Sequence, residues 1–420
     1  MIVKALLLEN INPLAIEKLE AHGIEVTTAK GALDEDELIA SLPGVDMLGI
    51  RSKTQVTKRV LDSAEADGLL AVGAFCIGTN QIDLSAAADR GVTVFNAPYS
   101  NTRSVVELAM AEIIMMARRL TDRNADMHAG VWNKSALHSH EVRGRTLGIV
   151  GYGNIGSQLS VLAEMFGMRV LFYDIAEKLA LGNAERVDTL EELLERAEVI
   201  TLHVDGRASN KNLFSEREFA LMRPRSLFLN LCRGHVVDVD ALAAALQSGH
   251  IAGASIDVFP AEPKAAGQPF ESPLRGIPNV ILTPHIGGST MEAQHNIAEF
   301  VSGKLWNYVS QGATEMSVNI PSVTLPNGLG QFRIAHLHKN IPGVMAALNQ
   351  RFGDLGVNIS SQVLGTWGQT GYVVSDVSAD VDDEVLNTLA AVPGTIRVLS
   401  LGGPAGLRSR RGTAPVSILA

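Results

Sequence analysis

Six residues near the middle of the chain, Gly151-Tyr152-Gly153-Asn154-Ile155-Gly156, constrain the fold more than any other feature. They match G-x-G-x-x-G. The apolar run Leu147 to Val150 precedes them, Ser157 to Phe166 reads as a helix, and Arg169 to Tyr173 reads as a second strand ending at Asp174. In that order, strand, glycine turn and helix form the phosphate-binding turn of a dinucleotide-binding βαβ unit. Gly151 permits the tight turn, Gly153 lets the backbone approach a pyrophosphate, and Gly156 lets helix and strand pack closely. The helix N-terminus adds free N–H groups and a positive dipole end. Asp174 is placed to accept from the adenosine ribose hydroxyls and would repel a 2′-phosphate. No Arg follows it directly, so NAD is expected over NADP. The plainer reading is a glycine-rich turn in an α/β domain that binds nothing.

The flanks repeat the same rhythm. Strands are predicted at Ile2 to Leu8, Ile24 to Thr28, Met47 to Ile50, Leu69 to Gly73 and Val92 to Asn96, with helices at Pro13 to His22 and Asp34 to Ser41. Alternating strands and helices imply a parallel sheet covered on both faces. Val105 to Arg119 reads as one long helix. Further strands are expected at Val199–His203, Ser226–Asn230, Gly253–Val258 and Val280–Thr283. Pro321 to Gly330 holds two prolines and two glycines and reads as a linker. The order after it is βαββαβ, which suggests a ferredoxin-like module. The closing stretch, GGPAGLRSRRGTAPVSILA, has no period and reads as a loose tail with Arg408, Arg410 and Arg411 solvated.

Composition narrows the function class. With 46% hydrophobic and 19% charged residues, each domain can bury a core. A net charge of -10 argues against a nucleic-acid or acidic-membrane partner, since phosphate backbones need clustered cations. Cys76 and Cys232 are too few for a disulfide framework, and no Cys/His spacing suits zinc, so no metal is expected. No apolar run approaches the ~18 residues of a membrane span. No signal-peptide pattern is read at the start, and a cytoplasmic location is expected.

Three side chains follow successive strand candidates: Arg233 after FLNLC, Glu262 in DVFPAEP and His285 in TPHIGGS. Open α/β sheets bind ligands past the carboxyl ends of their strands. Arg suits a carboxylate because its fork binds bidentately, His suits a base near neutral pH, and a neighbouring carboxylate raises and orients that His. Together they fit hydride transfer from a 2-hydroxy acid. Singly they read as a surface ion-pair partner, a loop carboxylate and a turn residue.

The segments NLCRGHVVD, ASIDVFPAEP and LTPHIGGST resemble the signatures of the D-isomer-specific 2-hydroxyacid dehydrogenases, and VGAFCIGTNQIDL, FNAPYSNTRSV, GVWNKS and GYGNIGSQL extend the likeness over nearly the whole chain to about Ser400. The resemblance implies that Arg233 binds the substrate carboxylate and carbonyl, that Glu262 pairs with the histidine, and that His285 is the acid/base. It implies that Asn154 and Ile155 line the pyrophosphate, that Asp174 holds the ribose, and that Leu231, Cys232, Asp257, Ile286, Gly287 and Gly288 line the nicotinamide end. It implies a Rossmann-type cofactor domain, 98–285, inserted in a flavodoxin-like substrate domain, 1–97 with 286–320. A linker, 321–331, an ACT domain, 332–401, and a tail, 402–420, would follow. Leu231, Cys232 and Asp205 depart from the family's usual small residue, Ser or Thr, and Pro.

Within the family, the likeness points to members that oxidise 3-phospho-D-glycerate to 3-phosphohydroxypyruvate at the start of L-serine biosynthesis, with 2-oxoglutarate reduction as a side activity. Arg51 and Lys53 in GIRSKT follow a predicted strand and would point into the cleft, Lys134 in VWNKS and Lys30 in TAKGALDE match basic positions there, and Ser52 would offer its backbone N–H to the substrate. As plain sequence they are ordinary surface charges. HLHKNIPGVMAALNQRFGDLGVNIS resembles the first half of an ACT domain. By that resemblance His338 and Asn340, on the loop after its first strand, and Asn358 would bind L-serine across an interface in a homotetramer. The alternative is a dimerisation module without ligand. Two further readings stay open: another D-2-hydroxyacid dehydrogenase acting on glycerate, lactate or formate, or a non-catalytic NAD-sensing protein like the corepressors on this fold.

Overall fold

The computed structural model describes residues 2–263, 267–326, 332–378, 381–401 and 407–413. The chain divides into two units, Met1–Ser100 with Gln294–Ala420, and Asn101–Ala293. These cuts lie a few residues beyond the boundaries expected at 97/98 and 285/286, so Ile286, Gly287 and Gly288 fall in the same unit as the glycine turn.

Asn101–Ala293 is built on a seven-stranded sheet in the order Val280–Leu282, Ile251–Ile256, Ser226–Asn230, Val199–Leu202, Thr146–Val150, Arg169–Tyr173, Glu185–Arg186. Every pairing is parallel. Strand order reverses between Thr146–Val150 and Val199–Leu202, which is the switch point where such sheets open a ligand crevice. The helix Thr102–Ala117 buries Val105, Val106, Ala109, Met110 and Ile113, one stripe at helical spacing, against Leu147, Ile149 and Leu229. The helix expected to run through Arg119 stops at Ala117. Arg119 takes a left-handed conformation, φ 50°, and a second helix, Leu120–His128, follows.

In the other unit, five parallel strands lie in the order Glu25–Thr28, Lys4–Leu7, Met47–Ile50, Ala71–Ala74, Thr93–Phe95, the flavodoxin-like 2-1-3-4-5 order. The chain returns to this sheet on the helix Met291–Gln311, whose Ile297, Ala298, Val301, Leu305 and Tyr308 join the core.

The C-terminal module is a second, antiparallel sheet in the order Ile359–Trp367, Thr370–Val377, Phe332–Lys339, Thr395–Leu401, Arg408–Arg411. Its first four strands, with the helices Val344–Asp354 and Asp383–Ala390, make the ferredoxin-like pattern. Alternate residues bury opposite faces. Ile334, Val373 and Val398 pack under the helices, while Ala335, Leu337, Tyr372, Val374 and Leu399 join the core of the first sheet.

The loose-tail expectation is corrected for residues 407–413. Arg408–Arg411 is a fifth strand on the free edge of Thr395–Leu401. Arg411 pairs with Asp67 at 2.7 Å, and Arg410 and Arg408 pair with Asp383 at 2.9 and 3.6 Å. An unpaired edge and two carboxylates hold a segment that apolar periodicity does not reveal. Residues 402–406 and 414–420 of that tail, and 327–331 of the linker, lie outside the described residues. Among the described residues no helix is long and apolar enough to cross a membrane, and no His/Cys/Asp/Glu group could hold a metal ion.

Candidate active site

At the switch point the backbone leaves no room for side chains on two of the fingerprint glycines. Gly151 has φ 94°, and a Cβ there would meet the His203 carbonyl. A Cβ on Gly156 would collide with the Gly151 carbonyl, whereas Gly153 faces open space. The helix Asn154–Met165 starts at Gly153 with no side-chain cap, so its first N–H groups are left for a ligand. Asp174 accepts from Tyr152 N and Ala176 N, each at 2.8 Å, which fixes its carboxylate beside the turn. This open, uncapped cradle fits a dinucleotide pyrophosphate.

Arg233, Glu262 and His285 lie past the carboxyl ends of neighbouring parallel strands. Asn230, the last residue of Ser226–Asn230, donates through Nδ2 to the Arg233 carbonyl at 3.1 Å and accepts from Cys232 N at 3.1 Å. Arg233 Nη1 donates to the Cys232 carbonyl at 2.6 Å. Next door, Gly234 packs so tightly on the Phe259 backbone that a Cβ would overlap it. That approach anchors the segment leading to Glu262, whose Oε1 accepts from Phe259 N at 3.1 Å.

His285 sits at φ 56° on a turn organised by Asp257. The buried Asp257 carboxylate accepts from Thr283 Oγ1 at 2.6 Å and from Ile286 N and Gly287 N at 2.8 Å. The His285 ring turns Nδ1 to Glu262, 2.9 Å from Oε2 and 3.1 Å from Oε1. That hydrogen bond outweighs burial and holds the imidazole above its ordinary 6.5. Burial works against ionisation of Glu262, but the bonds from His285 and Phe259 N prevail and hold its carboxyl below 4.5. With Nδ1 engaged, Nε2 is the nitrogen left to exchange a proton.

Cys232 is buried, and burial pushes its thiol up to about 11 despite the nearby Arg233. It is an inert thiol at neutral pH.

In the other unit, Arg51, Ser52 and Lys53 share one loop after the strand Met47–Ile50. The residue that shapes this loop is Glu9, only 8% exposed. Its carboxylate accepts from Arg51 N at 3.2 Å, Lys53 N at 3.1 Å and Thr54 N at 2.8 Å. Gln81 Nε2 donates to the Arg51 carbonyl at 2.7 Å, so the Arg51 backbone is held at both its N–H and its carbonyl. Glu9 and Asn10 both have positive φ, 63° and 52°. Sequence reading missed Glu9, although a carboxylate just past the first parallel strand is where such sheets place functional groups. Lys134 is exposed.

The expected effector residues need one correction. His338 lies inside the strand Phe332–Lys339 and is buried, paired with Gly371 and Thr395, instead of on the loop. Asn340 follows that strand with Nδ2 on the Gly368 carbonyl at 3.1 Å, and Asn358 precedes the strand Ile359–Trp367. Both are exposed.

Comparison with known proteins is decisive at this point. Residues 110–287 match the D-isomer specific 2-hydroxyacid dehydrogenase NAD binding domain, and residues 334–397 match the AHAS small subunit-like ACT domain. D-3-phosphoglycerate dehydrogenase of Escherichia coli (strain K12) is 51% identical over 94% of this chain and 96% of its own length. The chain belongs to the D-3-phosphoglycerate dehydrogenase family. The enzyme of the same name from Dictyostelium discoideum is 46% identical over 94% of this chain and 96% of its own. Among solved structures, D-2-hydroxyisocaproate dehydrogenase superposes with a TM-score of 0.68 at 26% identity, covering 76% of this chain and 100% of its own. D-lactate dehydrogenase from Aquifex aeolicus gives 0.64 at 25% identity, covering 73% and 95%. The matched NAD binding domain, 110–287, contains the glycine turn at Gly151.

Proposed function

We propose that this protein oxidises 3-phospho-D-glycerate to 3-phosphohydroxypyruvate with NAD, the entry step to L-serine. The observation that carries the chemistry is the His285 Nδ1 bond to both Glu262 oxygens, on a turn beside Arg233. The relatives' shared name carries the substrate.

The residues divide the work as follows. Arg233 holds the substrate carboxylate and carbonyl oxygen through its guanidinium fork. Neutral His285 takes the hydroxyl proton on Nε2 as the carbonyl forms, and Glu262 stabilises the imidazolium that results. When bound, NAD supplies the hydride acceptor. Gly151, Gly153, Asn154, Ile155 and Gly156 hold its pyrophosphate, Asp174 its ribose, and Leu231, Cys232, Asp257, Ile286, Gly287 and Gly288 border its reactive end. Arg51, Ser52, Lys53 and Lys134 bind the phosphorylated substrate. The ACT module takes L-serine through His338, Asn340 and Asn358 between subunits of a cytoplasmic homotetramer, and 2-oxoglutarate reduction is a side activity. On this reading the domains are 1–97 with 286–320 for substrate, 98–285 for cofactor and 332–401 for effector.

Steady-state NAD reduction with 3-phospho-D-glycerate, D-glycerate and D-lactate tests the substrate. The phosphorylated acid should show the highest kcat/KM, and preference for either unphosphorylated acid would reject the reading. Serine should inhibit and weaken substrate binding reciprocally. A rate unchanged by millimolar serine would reject the regulatory part.

A further inference from the structure

We propose that the amino-terminal edge of the seven-stranded sheet carries a second ligand site, for a small oxyanion of the phosphate or phosphomonoester class. A small surface recess opens there. Five of its ten lining residues, Arg119, His138, His140, Arg145 and Arg225, are basic, in a chain whose net charge is -10.

Topology separates this recess from the catalytic residues. Arg145 immediately precedes the strand Thr146–Val150, Arg225 precedes Ser226–Asn230, and Asn279 precedes Val280–Leu282. The far ends of the same strands lead to Gly151, Arg233 and His285. The two sites therefore sit about 15 Å apart, one strand length, at opposite edges of the sheet.

The charges in the recess do not cancel. Arg119 is paired with Asp122 at 2.6 Å and Arg145 with Glu198 at 3.1 Å. Arg225 has no ion pair or side-chain hydrogen bond among the described residues. Burial comes first, and then the charges of Arg145, Arg225 and His138 lower the His140 pKa, against Glu198. An anion placed among them relieves that repulsion.

Asn279 is 3% exposed, and its Nδ2 donates to the Ala252 carbonyl at 2.9 Å and the Met116 carbonyl at 3.3 Å, which fixes the chain beside the recess. The backbone supports a selected arrangement: Arg119, His138, Arg225 and Asn279 all have positive φ, 50°, 61°, 66° and 57°. Asn and His tolerate that region better than Arg does.

Glycine suits φ 66°, so Arg225→Gly should fold at least as well as the wild type while losing the unpaired cation. The test is carbethoxylation of His138 and His140 by diethyl pyrocarbonate, resolved by peptide mass spectrometry at constant ionic strength, with His250 as internal reference. Inorganic phosphate should slow modification of both residues several-fold in the wild type and not in Arg225→Gly, whose NAD reduction should be unchanged. A 3-phosphoglycerate arm separates the sources: protection at lower concentration than inorganic phosphate assigns the ester, and the reverse assigns the free anion. Equal modification with and without phosphate, or equal protection in Arg225→Gly, would overturn the site.

Discussion

Glu262 turns both carboxylate oxygens to one nitrogen of His285, at 2.9 and 3.1 Å from Nδ1, and so leaves Nε2 to exchange a proton. His285 is held above 6.5 chiefly by this bond, and hydroxy-acid oxidation needs the neutral ring. Glu262→Gln should therefore move the acidic limb of kcat/KM for oxidation to lower pH while reducing kcat by roughly 10²-fold. A pH–rate series on both proteins checks this. The pair's effect on stability has its own window. The histidine part is complete below 6.5 and is lost as pH rises through the raised value. The glutamate part is complete above 4.5 and is lost as pH falls through the lowered value.

On the proposed function, Glu9 acts on substrate through the Arg51 loop it holds. Glu9→Ala should raise KM for 3-phospho-D-glycerate roughly tenfold, about one charge-assisted hydrogen bond, with kcat and KM for NAD nearly constant. The same change made on Arg51→Ala should add little, because the side chain it positions is gone. Steady-state kinetics of the two single variants and the double variant measure this coupling.

Arg397 is a buried cation that bridges the C-terminal module to the flavodoxin-like sheet. Its guanidinium donates to the carbonyls of Leu69 at 2.8 Å, Arg90 at 3.2 Å and Asp67 at 3.3 Å. Burial lowers its pKa to about 10, so it stays charged at neutral pH. Arg397→Met strands those carbonyls and should destabilise the unit by about 3 kcal/mol. Denaturant unfolding, followed by a probe in the C-terminal module, measures the loss.

Glu112 is buried near Asp257 with neither carboxylate oxygen hydrogen-bonded among the described residues, and burial first, then that charge, pushes its carboxyl up to about 7. The sign is opposite to that of a salt-bridged acid. The Glu112 contribution to stability is highest below 4.5, falls as pH rises through this interval, and levels off above about 7. Glu112→Gln should therefore be more stable than wild type at pH 8, by on the order of 2 to 3 kcal/mol, and the gap should close toward pH 5. Urea unfolding at the two pH values reads it directly.

Fold and chemistry were unequally legible in the sequence. The glycine turn, the parallel strands and the Arg233, Glu262 and His285 set are local signals: a motif in its strand–helix context, apolar runs, and polar residues just past them. Residues whose roles depend on distant partners left little trace. Glu9 meets its loop 42 to 45 positions away, and Arg397 reaches carbonyls 307 to 330 positions away. Neither separation leaves a period. The strand Arg408–Arg411 was hidden for another reason: its four residues carry three arginines whose partners, Asp67 and Asp383, lie on other elements. His338 looked like a loop residue because the strand that buries it extends to Lys339, through polar residues that pack on both faces.

On the proposed mechanism His285, oriented by Glu262, takes the hydroxyl proton of 3-phospho-D-glycerate. NADH formation from that substrate, measured side by side for the wild type and His285→Asn, tests it most directly. The wild type should turn over, and the variant should fall by roughly 10³-fold with KM for NAD little changed. No NADH from the wild type, or an undiminished rate in His285→Asn, would contradict it.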